Sequence, residues 1–118
     1  RLTFTTDLAA GIIHLLRHDA AWGTYNLSNE GTPLSWAAVA KRVFALSGHD
    51  PQDVSPISTA EYFAGKDAAP RPADSTLDLT RIEATGFRPP SMEERLDAYV
   101  AQLRRDGSGQ QPTVNRPD

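Results

Sequence analysis

Apolar residues recur at helical spacing in three stretches of this chain. Leu8, Ile12, Leu15 and Leu16 fall at i, i+4, i+7 and i+8 and line up as one stripe. Thr5 or Thr6 offers a hydroxyl to cap that helix, and Asp7 in its first turn suits the positive end of the dipole. Trp36, Val39, Ala40, Val43 and Phe44 repeat the pattern, with Ser35 placed as a cap and Gly48 then Pro51 as the stop. Residues 91–104 form the third helix, with Met92, Leu96, Tyr99, Val100 and Leu103 on one side. Ser91 and Glu94 there have capping-box spacing, and Pro89-Pro90 holds the preceding backbone extended. Strand patterns are short: residues 23–27 with Tyr25 and Leu27 on one face, Leu2 with Phe4, and more loosely Val54 with Ile57, where Pro56 demotes the segment to an edge. Residues 79–84 read as a helical turn closed by Gly86. The pattern predicts an α+β unit, or a fragment of an α/β fold: three amphipathic helices, a short helical turn and a few short strands.

Composition narrows the class. At 118 residues one core is expected, and 39% apolar with 23% charged is ordinary for a globular chain. No window approaches the roughly 18 apolar residues of a membrane span, so no membrane partner is expected. No charged-then-apolar leader stands at the start, which argues against secretion. Without cysteine there are no disulfides, thiolate zinc sites or cysteine nucleophiles. A net charge of -3 lacks the concentrated positive face that nucleic acid requires. The chain opens at Arg1 and its only methionine is Met92, the look of a piece of a longer protein. From Arg105 onward the sequence is Gly, Ser, Gln, Pro and charge, with Val114 alone as a bulky apolar residue. That composition predicts a disordered tail over 105–118.

Four constellations invite chemistry. His14 and His18 have the i, i+4 spacing of helical zinc proteases, but Leu15 stands where that chemistry needs a glutamate. Both point away from the Leu8, Ile12, Leu16 stripe and read as solvated surface residues, with no metal site. Residues 37–62 resemble a helix-turn-helix in outline only, because Pro51 and Pro56 interrupt the recognition helix and no row of base-reading side chains is present. Tyr62 precedes Lys66 by one helical turn, the catalytic spacing of short-chain dehydrogenases. Gly65 and the stretch after it make a sustained helix there improbable, so the match reads as accidental. Arg71, followed by Pro72, Asp74 and Ser75, offers a planar fork for a phosphate, or equally a surface pair with Asp74.

Several segments in order resemble the C-terminal part of dTDP-4-dehydrorhamnose reductases, which are extended short-chain dehydrogenases. They are Thr5-Thr6-Asp7-Leu8-Ala9, then residues 23–31 leading into Ser35-Trp36, Pro56-Ile57-Ser58-Thr59-Ala60-Glu61-Tyr62, Arg71-Pro72-Ala73-Asp74-Ser75-Thr76-Leu77-Asp78, and Ala84-Thr85-Gly86. The resemblance implies a reductase of the 4-keto group of dTDP-4-keto-L-rhamnose that uses NADPH in the cytoplasm, in some members fused to a 3,5-epimerase. It implies that residues 1–104 are the substrate-binding region, with Arg71, Asp74 and Ser75 as substrate contacts. The family commonly has Asn where Asp74 stands. The cofactor domain and the catalytic Tyr/Lys pair would lie upstream, so this fragment is expected to hold no catalytic residue and no cofactor. The dTDP-deoxysugar and the missing N-terminal cofactor domain are the expected partners, and self-association is expected through the 24–27 edge or the first helix. The alternatives are a fragment of another nucleotide-sugar epimerase or reductase, and a small protein-interaction module.

Overall fold

Local turn chemistry sets most of the element boundaries in a computed structural model, which describes residues 1–65, 69 and 72–107. Helix α1 spans Thr5–Arg17 and α2 spans Trp36–Leu46, followed by a 3-10 turn at Pro51–Asp53. Two single-turn helices, α3 (Thr59–Tyr62) and α4 (Thr80–Glu83), lead to α5 (Met92–Gly107). Ser35 caps α2 by accepting from the Ala38 amide at 3.2 Å. Past its end, Gly48 at φ +81 turns the chain so that the His49 amide reaches the Phe44 carbonyl at 2.9 Å. A Ser58/Glu61 capping box starts α3, a signal the loose Val54, Ile57 alternation concealed. Asp78 accepts from the Thr80 amide at 2.9 Å at the start of α4, and Gly86 at φ +89 follows its end.

Ser91 begins α5 as expected, but its principal partner is Glu93: the hydroxyl donates to that carboxylate at 2.7 Å and accepts from the Glu93 amide at 3.2 Å. The helix runs three residues past Arg104, and the remaining part of the expected tail, 108–118, lies outside the described residues.

Helix α1 departs from expectation. Phe4 is its N-cap and makes no side-chain cap; Thr5 and Thr6 lie inside the helix instead. Its inward positions are Asp7, Gly11 and His14, one face at i, i+4, i+7, and the Leu8, Ile12, Leu16 stripe faces outward. Gly11 permits this. A Cβ there would collide with the Leu27 side chain, so the backbone itself meets Leu27 and Phe87.

The strands expected at residues 2–4, 23–27 and 54–57 are absent from the described residues, which hold one isolated parallel bridge, Glu30 to Ser91. A strand requires a ladder partner, and residues 23–27 find side-chain partners instead. Tyr25 donates to the Ala21 carbonyl at 2.6 Å, Asn26 to Asp78 at 3.3 Å, and the Arg81 guanidinium covers the Tyr25 ring at 4.7 Å. The described residues are therefore predominantly helical. Leu79, Ile82, Met92, Leu96 and Val100 form the buried core, where α4 and one face of α5 meet the N-terminal segment. Arg42 on α2 reaches Asp97 on α5 through two bonds of 2.9 and 2.8 Å, which fixes α2 against the core helix. Among the described residues no helix is long and apolar enough to cross a membrane.

Candidate substrate-binding groove

Three stretches far apart in sequence wall one groove of about 960 Å³: residues 33–37 entering α2, 56–63 around α3, and the loop 72–76. Each overlaps a segment on which the resemblance rested, whereas residues 5–9, 23–31 and 84–86 lie outside the groove. Capping serines shape two of the walls, since Ser35 and Ser58 fix the starts of α2 and α3 and so aim Trp36 and Tyr62. Trp36 is 82% exposed in this groove, and Ile57 and Tyr62 are exposed beside it. Such an apolar wall, open to solvent, favours a ligand with a flat ring or a carbon skeleton to cover it.

The loop wall is polar. Asp74 closes a turn by accepting from the Thr76 amide at 2.8 Å. The Thr76 hydroxyl and amide hold the Asp74 carboxyl below its ordinary value, with Arg1 adding attraction, so it stays ionised at neutral pH. Ser75 lines the same wall and is exposed, and among the described residues its hydroxyl makes no hydrogen bond. Arg1 closes one corner: its Nε donates to the Gly31 carbonyl at 2.8 Å and its Nη1 to Leu77 at 3.2 Å. It also borders a smaller cavity of about 410 Å³ with Asp78, Thr80 and Glu83.

The structure thus brings Asp74 and Ser75 to one wall. Arg71 lies outside the described residues, as does Lys66. Tyr62 is the last residue of a four-residue helix, and Gly65 at φ +72 follows it, so the described part supplies no sustained helix for a Tyr/Lys pair. Trp36 and Ile57 went unrecognised as site residues because periodicity placed one on a buried stripe and the other on an edge strand. The exposed tryptophan beside a capping serine was the available signal.

Of the two histidines expected at the surface, His14 requires correction. His14 is half-buried, with Nε2 at 3.0 Å from the Thr85 carbonyl and 3.1 Å from its hydroxyl, and its ring lies against Phe87. Because Thr85 Oγ1 donates to Ile82 at 2.6 Å, the proton sits on His14 Nε2 and is donated to Thr85. His18 is exposed and stacks on His14 at 4.1 Å. The described residues hold no group of three or more metal-ligating side chains.

A nicotinamide dinucleotide requires a glycine-rich turn running directly into a helix N-terminus, where backbone amides take the pyrophosphate. None of the positive-φ glycines (Gly23, Gly31, Gly48, Gly65 and Gly86) forms such a turn, so the described residues do not fit that cofactor.

The fold is thus a predominantly helical unit whose larger groove joins an exposed apolar wall to a turn-fixed carboxylate. The chain is a member of the RmlD substrate binding domain family, which it matches over residues 1–105. It is 36% identical over 100 residues to the spore coat polysaccharide biosynthesis protein SpsK of Bacillus subtilis (strain 168), covering 85% of this chain and 33% of that protein. A probable dTDP-4,6-dihydroxy-2-methyloxan-3-one 4-ketoreductase of Streptomyces antibioticus is 38% identical over 87 residues, 74% of this chain and 28% of its own. A dTDP-4-dehydrorhamnose reductase of Streptomyces griseus is 36% identical over 91 residues, 74% of this chain and 29% of its own. The chain spans about a third of the length of these curated relatives. No solved structure matches it.

Proposed function

We propose that this chain is the substrate-binding part of a reductase that acts on a dTDP-4-keto-deoxysugar in dTDP-rhamnose synthesis. One observation carries the reading: three of the stretches that resemble the reductase family, around Ser35-Trp36, residues 56–62 and residues 72–76, border a single groove. Family membership and two relatives whose names specify dTDP-sugar ketone reduction support it. In this proposal Trp36 covers the base or the sugar skeleton, Ser75 and Asp74 meet sugar hydroxyls, and Arg71 takes the diphosphate through its planar fork. NADPH and the proton donor are assigned to a cofactor domain of the extended short-chain dehydrogenase type, with which this chain pairs in the cytoplasm. The residues in hand contribute binding and orientation.

Calorimetric titration with dTDP-rhamnose, the product of such a reduction, tests this. Saturable binding in the range of about 10 µM to 1 mM, roughly 4–7 kcal/mol, is expected. Trp36→Ala should weaken it at least about tenfold through lost apolar cover. Absence of binding at millimolar ligand, in a chain shown by circular dichroism to be folded, would overturn the reading.

A further inference from the structure

The groove wall carries a fixed negative charge at Asp74. Asp74 gives one oxygen to the Thr76 amide, and that turn orients the carboxylate. An ionised carboxylate has about four acceptor positions, of which the Thr76 donors occupy two at most, so capacity for another donor remains. Ser75 stands next to it on the same wall with a free hydroxyl among the described residues. Arg1 supplies the cationic side chain among the described lining residues, which spends Nε and Nη1 on the Gly31 and Leu77 carbonyls, while its α-ammonium and guanidinium both attract the Asp74 carboxylate. At Asp74 itself the wall therefore offers a charged acceptor to hydroxyl donors.

We propose that Asp74 sets the specificity of the groove: its carboxylate accepts a hydroxyl of the sugar and repels the terminal phosphate of a bare nucleoside diphosphate. The site thereby takes nucleotide sugars in preference to the free nucleotide that would otherwise compete. The inference rests on the nucleotide-sugar reading above and specifies how that site discriminates. Two effects act in the same direction. A sugar hydroxyl gains a charge-assisted bond, about twice as strong as a neutral one, and a ligand without the hydroxyl leaves a charged acceptor unpaired. Free dTDP also carries more charge on its outer phosphate than the same phosphate esterified to a sugar, so it suffers more from the carboxylate.

The test titrates the full 118-residue chain and its Asp74→Asn variant with dTDP and with dTDP-rhamnose, at low and high salt. Asparagine keeps the side-chain oxygen that accepts from Thr76, so the turn persists while the charge is lost. Asp74→Asn should tighten dTDP about 3–10-fold at low salt, with the gain fading near roughly 0.5 M salt as screening requires. The preference for dTDP-rhamnose over dTDP should fall about tenfold or more. Asp74→Ser, which also supports the turn, should move both quantities in the same direction. If the wild-type chain binds dTDP-rhamnose but neither variant changes the preference, the inference is overturned and the groove reading stands. If the wild-type chain binds neither ligand, the groove reading fails and takes this inference with it.

Discussion

Arg95 grips both carboxylate oxygens of Asp7 across 88 positions of sequence, Nη2 to Oδ1 at 2.6 Å and Nε to Oδ2 at 2.9 Å. Asn29, which is fully buried, adds a third donor to Asp7 at 2.6 Å. The same Asn29 amide group reaches the Pro90 carbonyl, and its oxygen accepts from the Phe4 amide. One buried carboxylate therefore ties the start of α1, the 28–31 loop and the start of α5 together, and those loops lead into the groove walls. Because Asp7 is buried and Arg95 half-exposed, removing the arginine leaves a buried charge with only Asn29 to satisfy it. Arg95→Ala is expected to cost about 2–4 kcal/mol in urea denaturation. Arg42→Ala breaks the Arg42–Asp97 pair, half-exposed on both sides with no buried carboxylate left behind, and should cost about 1 kcal/mol or less. Equal losses for the two variants would show that burial does not set the value of the Asp7 pair.

Acid should weaken the start of α5. The Ser91 hydroxyl, and then the amides of Glu93 and Thr32, hold the Glu93 carboxyl below its usual value of 4.5. A carboxyl depressed in the folded state contributes stability that is present above its unfolded value and is lost as pH falls through the folded one. The stability difference between the wild-type chain and Glu93→Gln should therefore be constant above about pH 5 and shrink progressively below about pH 4.5. Denaturation midpoints measured from neutral to acidic pH check this. A difference independent of pH would mean that Glu93 acts through shape alone.

The two histidines of α1 should separate cleanly. His14 donates to Thr85 and lies on Phe87, whereas His18 is exposed. His14→Ala is expected to cost about 1–2 kcal/mol, and His18→Ala under about 0.5 kcal/mol. The described residues add no third ligand to this pair, so equimolar zinc should leave the melting temperature unchanged. A rise in melting temperature that disappears in His18→Ala would reverse this reading.

Elements whose signals are local were legible in the sequence. Ser35, Gly48 and Gly86 bound their helices as expected, because a cap or a left-handed turn needs only its immediate neighbours. What depends on distant residues was not legible. Nothing near Asp7 announces Arg95, and the helix dipole alone gave the aspartate a sufficient but incomplete role. The apolar stripe of α1 was legible as a stripe, but the face opposite it, with His14, was read as solvated and is the inward one, since a hydrophobic face does not reveal whether its partner is present. The signal for the inward face was Gly11, a poor helix former in mid-helix that marks a close backbone approach. At the groove, Asp74 and Ser75 stood out as neighbours of Arg71 in a segment of the family resemblance, whereas Trp36 and Ile57 gained their place only when three loops met.

That outward stripe leads to the last expectation. Ile12 is 49% and Leu16 74% exposed on α1, with Leu8 and Ile13 exposed beside them. Four large aliphatic side chains on one helix exceed what scattered surface residues usually provide, and such a patch favours association. The alternative contact expected from sequence, the 24–27 edge, is poorly suited. It forms no strand, and Arg81 covers Tyr25. Burying each Leu or Ile is worth about 1.5–3 kcal/mol, but association costs much of that in lost freedom, which leaves weak pairing on the order of 100 µM. Sedimentation velocity or light scattering across that concentration range should show reversible self-association of the isolated chain. Ile12→Glu combined with Leu16→Glu should abolish it, since a pairing interface would have to bury both carboxylates. If the double variant still associates, the interface lies on another face. If the wild-type chain stays a clean monomer at high micromolar concentration, the stripe is simply solvated and the expectation is wrong.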